Sequence, residues 1–445
     1  MPVPGPPSPL VRGFGGATAT FVVVSSMVGA GVLTTSGYAA AAVGSHALTL
    51  GLWALGGLVA LCGALTLAEL STTVPEAGGE YAILAAAHGP LAAFCSGWVS
   101  LLLGFSAPIG ATAVALARAV GATGPEERWW AVAAIVALAA VHAAGRGGAS
   151  RVQGAVTAAT VAALSVFVGL GLVAGRGRWA GLLDLPTPTW GVARASMFAL
   201  VYMSYAYTGW NGAAYLAGEI HDPARRLPAA IGLGTAAVVL LYLGVNLVYA
   251  LAIPAGELSA MSARDPVSVA PIAELSAACL FGSRARIPTA VASATILLGS
   301  LSALLLTGPR VAYAMAAAGQ LPAGIAVLSG RGGVPARATL LVAGLSAAMA
   351  LTGAFEALVV VSGVGLALFS MLTVGAVFVL RRRDLPRPFR VPLYPLTPLI
   401  YLVAAVGLMV GAFAERPWES ALAVLAVGAG VPAYHLAGRP GSGRG

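Results

Sequence analysis

The chain has 445 residues, of which 59% are hydrophobic and 9% are charged. Soluble globular domains carry about 25% charged residues, so this composition excludes a protein whose whole surface faces water. The net charge is +9 and every basic residue is arginine. The arginines are not gathered on one soluble domain, which argues against a nucleic-acid-binding protein.

Long apolar runs begin near residue 17, and a helix of about 20 apolar residues can cross a bilayer. We therefore predict an all-α membrane protein with twelve transmembrane helices in contact with membrane lipid. The predicted spans are 17–42, 47–72, 88–120, 129–144, 150–174, 192–217, 228–253, 287–317, 335–351, 355–380, 393–414 and 417–436. The longest connection, 254–286, is expected to hold a short helix outside the membrane.

Arginine is unevenly divided between the two sides of these spans. Fifteen arginines fall on the side that holds both termini and nine on the other, while the acidic residues divide six to nine. The net charge is therefore +9 on the first side and 0 on the second. Because arginine is retained in the cytoplasm during insertion, we expect both termini to be cytoplasmic. We expect a multi-pass protein of the plasma membrane, which in a bacterium is the inner membrane.

Two of the predicted spans are interrupted by glycine near their centres. The first contains Gly29 and Gly31 in SSMVGAGV, and the sixth contains Gly209 in SYAYTGWNG. A break in hydrocarbon frees backbone groups, so it persists where it lines a cavity or binds a ligand. Matching breaks at the start of two successive groups of five spans are typical of a transporter site at the membrane midplane.

The two breaks offer complementary backbone charge. A half-helix that begins after Gly31 presents free N–H groups and a positive dipole end, which suit a carboxylate. A half-helix that ends near Tyr207 presents free carbonyls, which suit an ammonium group. Together they would recognise a zwitterion without a charged side chain. The alternative is that these glycines serve only close helix packing.

Four segments make the pattern more specific: GAG at 29–31, AEL at 68–70 with PEAGGEY at 75–81, YTGWN at 207–211 with GEIHDPARRLP at 218–228, and GPRVAYAM at 308–315. With these segments the chain resembles, along essentially its whole length, the amino acid–polyamine–organocation superfamily, and especially bacterial relatives of the L-type amino acid transporters. The resemblance implies a LeuT-like five-plus-five inverted repeat with broken helices 1 and 6, and alternating access. The expected parts are a disordered cytoplasmic tail at 1–16, repeats at 17–174 and 175–380, helices 11 and 12 at 381–436, and a cytoplasmic tail at 437–445.

The resemblance also implies roles for individual residues. The carboxylate-binding turn matches Gly29, Ala30 and Gly31; the amine-binding carbonyls match Tyr205, Ala206 and Thr208; and the other expected pocket residues are Met27, Val28, Val32, Tyr202, Tyr207 and Gly209. Tyr205 also matches an aromatic gate that covers the substrate, with a packing aromatic as the alternative.

The coupling ion is left open by the sequence. Sodium-independent relatives often carry a lysine in span five that stands in for sodium, but this chain has no lysine and places Thr160 there. A cation could use first-span carbonyls with the hydroxyls of Thr160 and Ser302, since hard cations favour oxygen ligands. Coupling to Na+ or H+ and uncoupled exchange therefore both stay open.

Polar residues away from the breaks are interpreted as structural. Ion pairs near the cytoplasmic ends are expected for Glu69, Glu80, Glu219 and Arg310. The cysteines have no metal-ligand spacing and are expected to pack in apolar surroundings: Cys62, Cys95 and Cys279. The histidines are expected at solvated helix ends or loops: His46, His88, His142, His221 and His435.

The substrate is expected to be a neutral L-amino acid. A second buried cation would cost about 2.5–3.5 kcal/mol unless an acid faced it, and neither break contains an acid. The alternatives are a polyamine or cationic amino acid transporter or exchanger, and a non-transporting sensor subunit. HExxH, GxSxG and GxxxxGK[ST] are absent, so we expect no enzyme, no catalytic residues, no cofactor and no metal.

The charge asymmetry predicts that tags at both termini and in the loop 381–390 are labelled only after the membrane is permeabilised. Impermeant labelling of intact cells measures this directly. A tag at either terminus that is labelled in intact cells would overturn the orientation or the span count.

Overall fold

Apolar sequence in a membrane folds into helices because a helix satisfies its own backbone hydrogen bonds. The computed structural model describes residues 10–175, 179, 182, 184–328, 333–352, 355–415 and 417–436, and these are predominantly helical. The predicted tails, apart from residues 10–16, lie outside this part of the chain.

The α-helices are α1 (Gly16–Met27), α2 (Ala30–Val43), α3 (His46–Thr73), α4 (Glu80–His88), α5 (Pro90–Val99), α6 (Ala107–Ala119), α7 (Glu126–Ala144), α8 (Arg146–Ala174), α9 (Trp190–Ala206), α10 (Pro223–Ala252), α11 (Ala255–Arg264), α12 (Ile272–Phe281), α13 (Arg286–Ala317), α14 (Ala336–Thr352), α15 (Phe355–Leu380), α16 (Leu396–Glu415) and α17 (Pro417–Leu436). A π-helix, Ser100–Ser106, joins α5 to α6, and a 3-10 helix, Gly212–Glu219, follows α9. The expected short helix in 254–286 is present, as α11 and α12.

Nine helices of the described chain are long and apolar enough to span a membrane: Gly16–Val43, His46–Thr73, Pro90–Ala119, Glu126–Ala144, Arg146–Ala174, Pro223–Ala252, Ser283–Ala317, Gly363–Leu380 and Leu396–Ala414. The predicted spans 192–217, 335–351 and 417–436 are not among these nine. In the predicted span 192–217 the helix, α9, already ends at the break, at Ala206. The other two spans form shorter apolar helices. The structure is therefore that of a helical, multi-pass membrane protein, and the count of twelve stays a prediction.

Both predicted helix breaks are present. The first lies at Val28 and Gly29, which are extended, and α2 begins at Ala30, two residues earlier than expected. The second begins where α9 ends at Ala206, and Gly209 in the following turn has φ +102°, a conformation that favours glycine. Helix α2 packs on α9, and α10 packs on α1 and α3, so both breaks lie in the core.

Ion pairs join several helices on the side of the membrane where α1 begins. We call this contact the N-terminal gate: Arg146, Glu219 and Arg310 with the segment 13–14. The Arg310 Nε lies 2.8 Å from Glu219 Oε1, and Arg146 Nε lies 3.8 Å from Glu219 Oε2. The N–H groups of Gly13 and Phe14 donate to the Glu219 carbonyl at 2.8 and 2.9 Å. The expectation that Glu219 and Arg310 form ion pairs is confirmed, and the structure shows that they pair with each other.

A second buried ion pair fixes the segment after α15. The Arg381 guanidinium donates twice to Glu69, at 2.7 and 2.6 Å, and the Val391 N–H donates to the same carboxylate at 2.6 Å. Arg381 also lies 3.6 Å from the centre of the Tyr394 ring. The expected pairing of Glu69 is thus confirmed.

Two expectations about polar residues, those for Glu80 and His142, are wrong. Glu80 has no basic partner among the described residues and is instead hydrogen-bonded to Asn211 and Ser370. His142 is not solvated: it is 3% exposed, and its Nε2 lies 3.1 Å from the Ser302 hydroxyl. Cys62 and Cys95 are buried as expected, whereas Cys279 is exposed.

Arg381→Gln should destabilise the protein by about 3 kcal/mol, because it leaves the buried Glu69 carboxylate without its cation. Arg382→Gln is the matched control, since Arg382 is adjacent and exposed. Thermal unfolding of the purified variants in detergent measures the difference. Equal melting temperatures for the two variants would contradict a stabilising role for this pair.

Candidate substrate site

The first break presents the N-terminus of α2 to the interior. Gly29 is the residue before α2, and no side chain caps the helix there. The first N–H groups of a helix have no partner within it and form the positive end of its dipole. The N–H groups that follow Gly29 are thus free of a side-chain cap from Gly29, and carboxylate binding there stays a prediction.

The second break presents the last carbonyls of α9. The Thr208 hydroxyl donates to the Tyr205 carbonyl at 2.7 Å, and the Thr208 N–H donates to the same oxygen at 3.1 Å. The Ala206 carbonyl accepts from the Tyr242 hydroxyl at 3.1 Å. Since a carbonyl oxygen has two lone pairs, the Ala206 oxygen keeps capacity for an ammonium donor.

Tyr242 joins the two breaks and was not singled out by the sequence. Its hydroxyl on α10 lies 2.7 Å from the Met27 carbonyl at the end of α1, as well as 3.1 Å from the Ala206 carbonyl. The side chain is fully buried. A tyrosine within an apolar span needs a partner for its hydroxyl, which is the one signal in the sequence that could have identified it.

Glycine allows the two breaks to approach each other. A Cβ on Gly31 would lie 2.6 Å from the Ala206 Cα, and one on Gly209 would overlap the Ser26 carbonyl. A Cβ on Gly29 would lie 2.9 Å from the Ser300 hydroxyl on α13. Gly31 and Gly209 are therefore needed for close packing as well, so the packing alternative is compatible with a binding site.

The predicted pocket residues divide into a buried and a partly exposed group. Those partly exposed are Ala30, Tyr202, Tyr205, Thr208 and Gly209, and those buried are Met27, Val28, Gly29, Gly31, Val32, Ala206 and Tyr207.

Tyr207 faces α3. Its hydroxyl donates to the Trp53 carbonyl on α3 at 2.9 Å, and its ring packs against Trp53 and Tyr242 at centroid distances of 5.4 and 5.2 Å. Tyr202 packs against Tyr38 on α2 at 5.6 Å. Position 363 on α15 lies near Tyr205: a Cβ on Gly363 would be 4.0 Å from that ring.

Thr160 and Ser302, the predicted cation ligands, have different surroundings. Thr160 is buried on α8, and its hydroxyl has no hydrogen-bond partner among the described residues. It lies next to Gly299, since a Cβ added to Gly299 would be 3.3 Å from the Thr160 hydroxyl. Ser302 instead contacts His142.

A cluster of polar side chains on α1 and α8 lies close to Thr160. The Ser25 and Thr157 hydroxyls lie 2.7 Å apart, and the Gln153 amide donates to Thr157 at 3.1 Å. A Cβ on Gly299 would be 3.4 Å from the Ser25 hydroxyl. Ser25, Thr157 and Gln153 were missed because hydroxyls are common in the spans and pairing depends on which faces meet.

Glu80 is the first residue of α4, a short helix that is not among the nine spans. Its carboxyl is fully buried, and burial of an ionised carboxylate costs several kcal/mol. The dipole of a helix N-terminus stabilises a carboxylate there by only about 0.3–1 kcal/mol. Burial therefore raises the pKa of the Glu80 carboxyl above its ordinary value, against the opposing effect of hydrogen bonds from Asn211 and Ser370.

Tyr242→Phe should loosen both breaks, because the Met27 and Ala206 carbonyls lose their shared donor at a cost of about 1–3 kcal/mol. Hydrogen–deuterium exchange should increase in the peptides that contain residues 28–31 and 207–211. Tyr249→Phe, about two turns along the same helix, is the control and should leave both peptides unchanged. Unchanged exchange in Tyr242→Phe would show that its hydroxyl does not hold the breaks together.

The chain is similar to known proteins along most of its length. The family profile described as amino acid permease matches residues 14–431. The chain is 27% identical to Asc-type amino acid transporter 1 of Mus musculus over 447 residues, covering 96% of this chain and 81% of that protein. It is 28% identical over 445 residues to large neutral amino acids transporter small subunit 2 of Homo sapiens, covering 96% and 80%.

A bacterial relative has a similar extent: the serine/threonine exchanger SteT of Bacillus subtilis (strain 168) is 28% identical over 425 residues, covering 93% of this chain and 94% of SteT. Because the family profile matches from the segment before α1 into α17, the chain belongs to the amino acid permease family of the amino acid–polyamine–organocation superfamily.

Proposed function

We propose that the protein is a secondary-active transporter that moves a neutral L-amino acid across the membrane by alternating access. The observation that supports this most strongly is the meeting of the two breaks. The Met27 carbonyl of the first and the Ala206 carbonyl of the second share one hydroxyl, that of Tyr242. A ligand between them would meet N–H groups at one end and carbonyls at the other, as a zwitterion requires.

A neutral substrate side chain fits the charges near the breaks. The buried acids Glu69 and Glu219 are each paired with arginine, and the third, Glu80 on α4, accepts hydrogen bonds from Asn211 at the second break and from Ser370. No acid occurs in the sequences of either break to receive a second cationic group. The names of the relatives, which specify large neutral amino acids and serine with threonine, support the same substrate class.

The proposed architecture is the LeuT-like one, with repeats at 17–174 and 175–380 and two further helices at 381–436. The breaks after α1 and after α9 support it, since they occupy corresponding places in the two repeats. The proposed orientation has both termini in the cytoplasm of a bacterial cell. In that orientation the N-terminal gate faces the cytoplasm and is closed here by the Glu219 ion pairs.

Coupling to a cation is a second, weaker part of the proposal. The oxygen-rich cluster of Ser25, Thr157 and Thr160 lies beside the first break, and the Thr160 hydroxyl has no hydrogen bond. Hydroxyl and carbonyl oxygens suit a hard cation such as Na+. Amino acid exchange without a coupling ion is the alternative, and dependence of uptake on a sodium gradient distinguishes the two.

The test is uptake of radiolabelled L-leucine, L-alanine, L-phenylalanine and L-serine into proteoliposomes. We expect uptake of at least one, and stronger competition by neutral amino acids than by arginine, lysine or putrescine. Gly29→Val should abolish uptake because its side chain would block the N–H groups at the start of α2. Stronger competition by the cationic compounds would refute the neutral substrate, and binding without uptake would favour a sensor.

A further inference from the structure

Glu80 is a buried acid that the proposed transport chemistry does not use. It is 0% exposed, and its Oε1 accepts hydrogen bonds from the Asn211 amide at 3.0 Å and the Ser370 hydroxyl at 3.1 Å. Its Oε2 is buried and has no hydrogen-bond partner. The other two buried glutamates on this side, Glu69 and Glu219, are each paired with arginine.

The groups around Glu80 supply no positive charge among the described residues. Phenols approach it from two elements, Tyr215 on the 3-10 helix and Tyr401 on α16. Arg310 on α13 is paired with Glu219. Other charged or titratable groups of the adjoining segments include Glu76, Tyr81, His88, Cys95, Tyr313, Arg382 and Asp384. Arg381 is paired with Glu69, and Arg383 donates to the last carbonyls of α4.

Glu80 also lies beside the start of the 3-10 helix whose last residue, Glu219, belongs to the N-terminal gate. Asn211 is in the turn of the second break, immediately before the 3-10 helix that ends at Glu219. The loop before Glu80 packs on the same 3-10 helix, with the Gly78 N–H donating to the Tyr215 carbonyl at 3.3 Å. Ser370 lies on α15. Movement of the 3-10 helix away from α4 would therefore break the Asn211 bond and admit water to the carboxyl.

We infer that Glu80 is a proton-binding site that keeps the N-terminal gate closed when protonated and ionises when the gate opens. The inference rests on the proposed transport function. In the closed state the neutral acid avoids an unpaired charge in a dry site. On opening, the carboxyl O–H bond breaks and the proton passes to water on that side, and on closing a proton returns from the same water.

The sign of the pH effect follows from this proton balance. The closed state binds one proton more than the open state, so raising the pH favours opening and lowering it favours closure. Where the pH lies between the carboxyl pKa of the open state and that of the closed state, opening changes by up to about tenfold per pH unit. The proton enters and leaves on one side, so it regulates transport without being carried across.

The first test measures initial rates of amino acid exchange in proteoliposomes at several pH values. The wild-type rate should rise with pH, and Glu80→Gln, which resembles the protonated acid, should give a slow rate that is nearly independent of pH. Glu76→Gln is the matched control, because Glu76 is exposed in the same loop. It should follow the wild type. A Glu80→Gln variant that keeps the wild-type pH dependence, or a wild type without any, would overturn the inference.

The second test does not require transport. Infrared spectra of the purified protein, recorded across the same pH values as the exchange rates, should show the carbonyl stretch of a protonated carboxylic acid that is lost in Glu80→Gln and kept in Glu76→Gln. Absence of a Glu80-dependent band would also overturn the inference. If the band is present but the wild type transports no amino acid, the proposed function fails while Glu80 remains a proton-binding site.

Discussion

The whole arrangement depends on one constraint: backbone groups that leave a helix inside a membrane need hydrogen-bond partners. Two hydroxyl groups meet this constraint for three carbonyls. The Thr208 hydroxyl donates to the Tyr205 carbonyl, and the Tyr242 hydroxyl donates to the Met27 carbonyl at the end of α1 and to the Ala206 carbonyl. The N-terminus of α2 has no such side-chain partner. Since the N-terminus of a helix attracts an anion, the proposed site would give a zwitterionic ligand a defined orientation.

Charged side chains are concentrated away from the two breaks. Apart from the Glu80 carboxyl, which accepts a hydrogen bond from Asn211 in the second break, the breaks are surrounded by hydroxyls, carbonyls and aromatic rings. The buried ion pairs of Glu69 and Glu219 lie beyond them on the side where α1 begins. These ion pairs hold the helices together on that side without placing a further charge beside the breaks. An arginine-only set of cations suits this purpose, because a guanidinium stays charged and binds a carboxylate with two parallel donors, as Arg381 does with Glu69.

The helix breaks and the residues of the ion pairs could be predicted from the sequence, because they depend on the local chemistry of the chain. Glycine within an apolar span locates both breaks, and acids and arginines near span ends locate the ion pairs of Glu69, Glu219 and Arg310. Other features depend on tertiary contacts. The Tyr207 ring lies in a turn, where helical periodicity says nothing of its direction, and it faces α3.

Glu80 and His142 show the same limit. Which arginine reaches which carboxylate depends on the path of the loops, so the sequence does not reveal that Glu80 meets Asn211 and Ser370 instead. His142 lies near the end of α7, but the neighbouring α13 covers it and offers it the Ser302 hydroxyl. Burial at a helix end is decided by the length of the adjacent helix.

The contact between the segment before α1 and the end of the 3-10 helix is made by main-chain atoms. Phe14 and Ile220 form a parallel bridge, the Gly13 and Phe14 N–H groups donate to the Glu219 carbonyl, and the His221 N–H donates to the Phe14 carbonyl. Main-chain bonds are present whatever the side chain, proline excepted. This junction can therefore tolerate extensive sequence divergence, and relatives that share little more than a quarter of their residues with this chain could retain it unchanged.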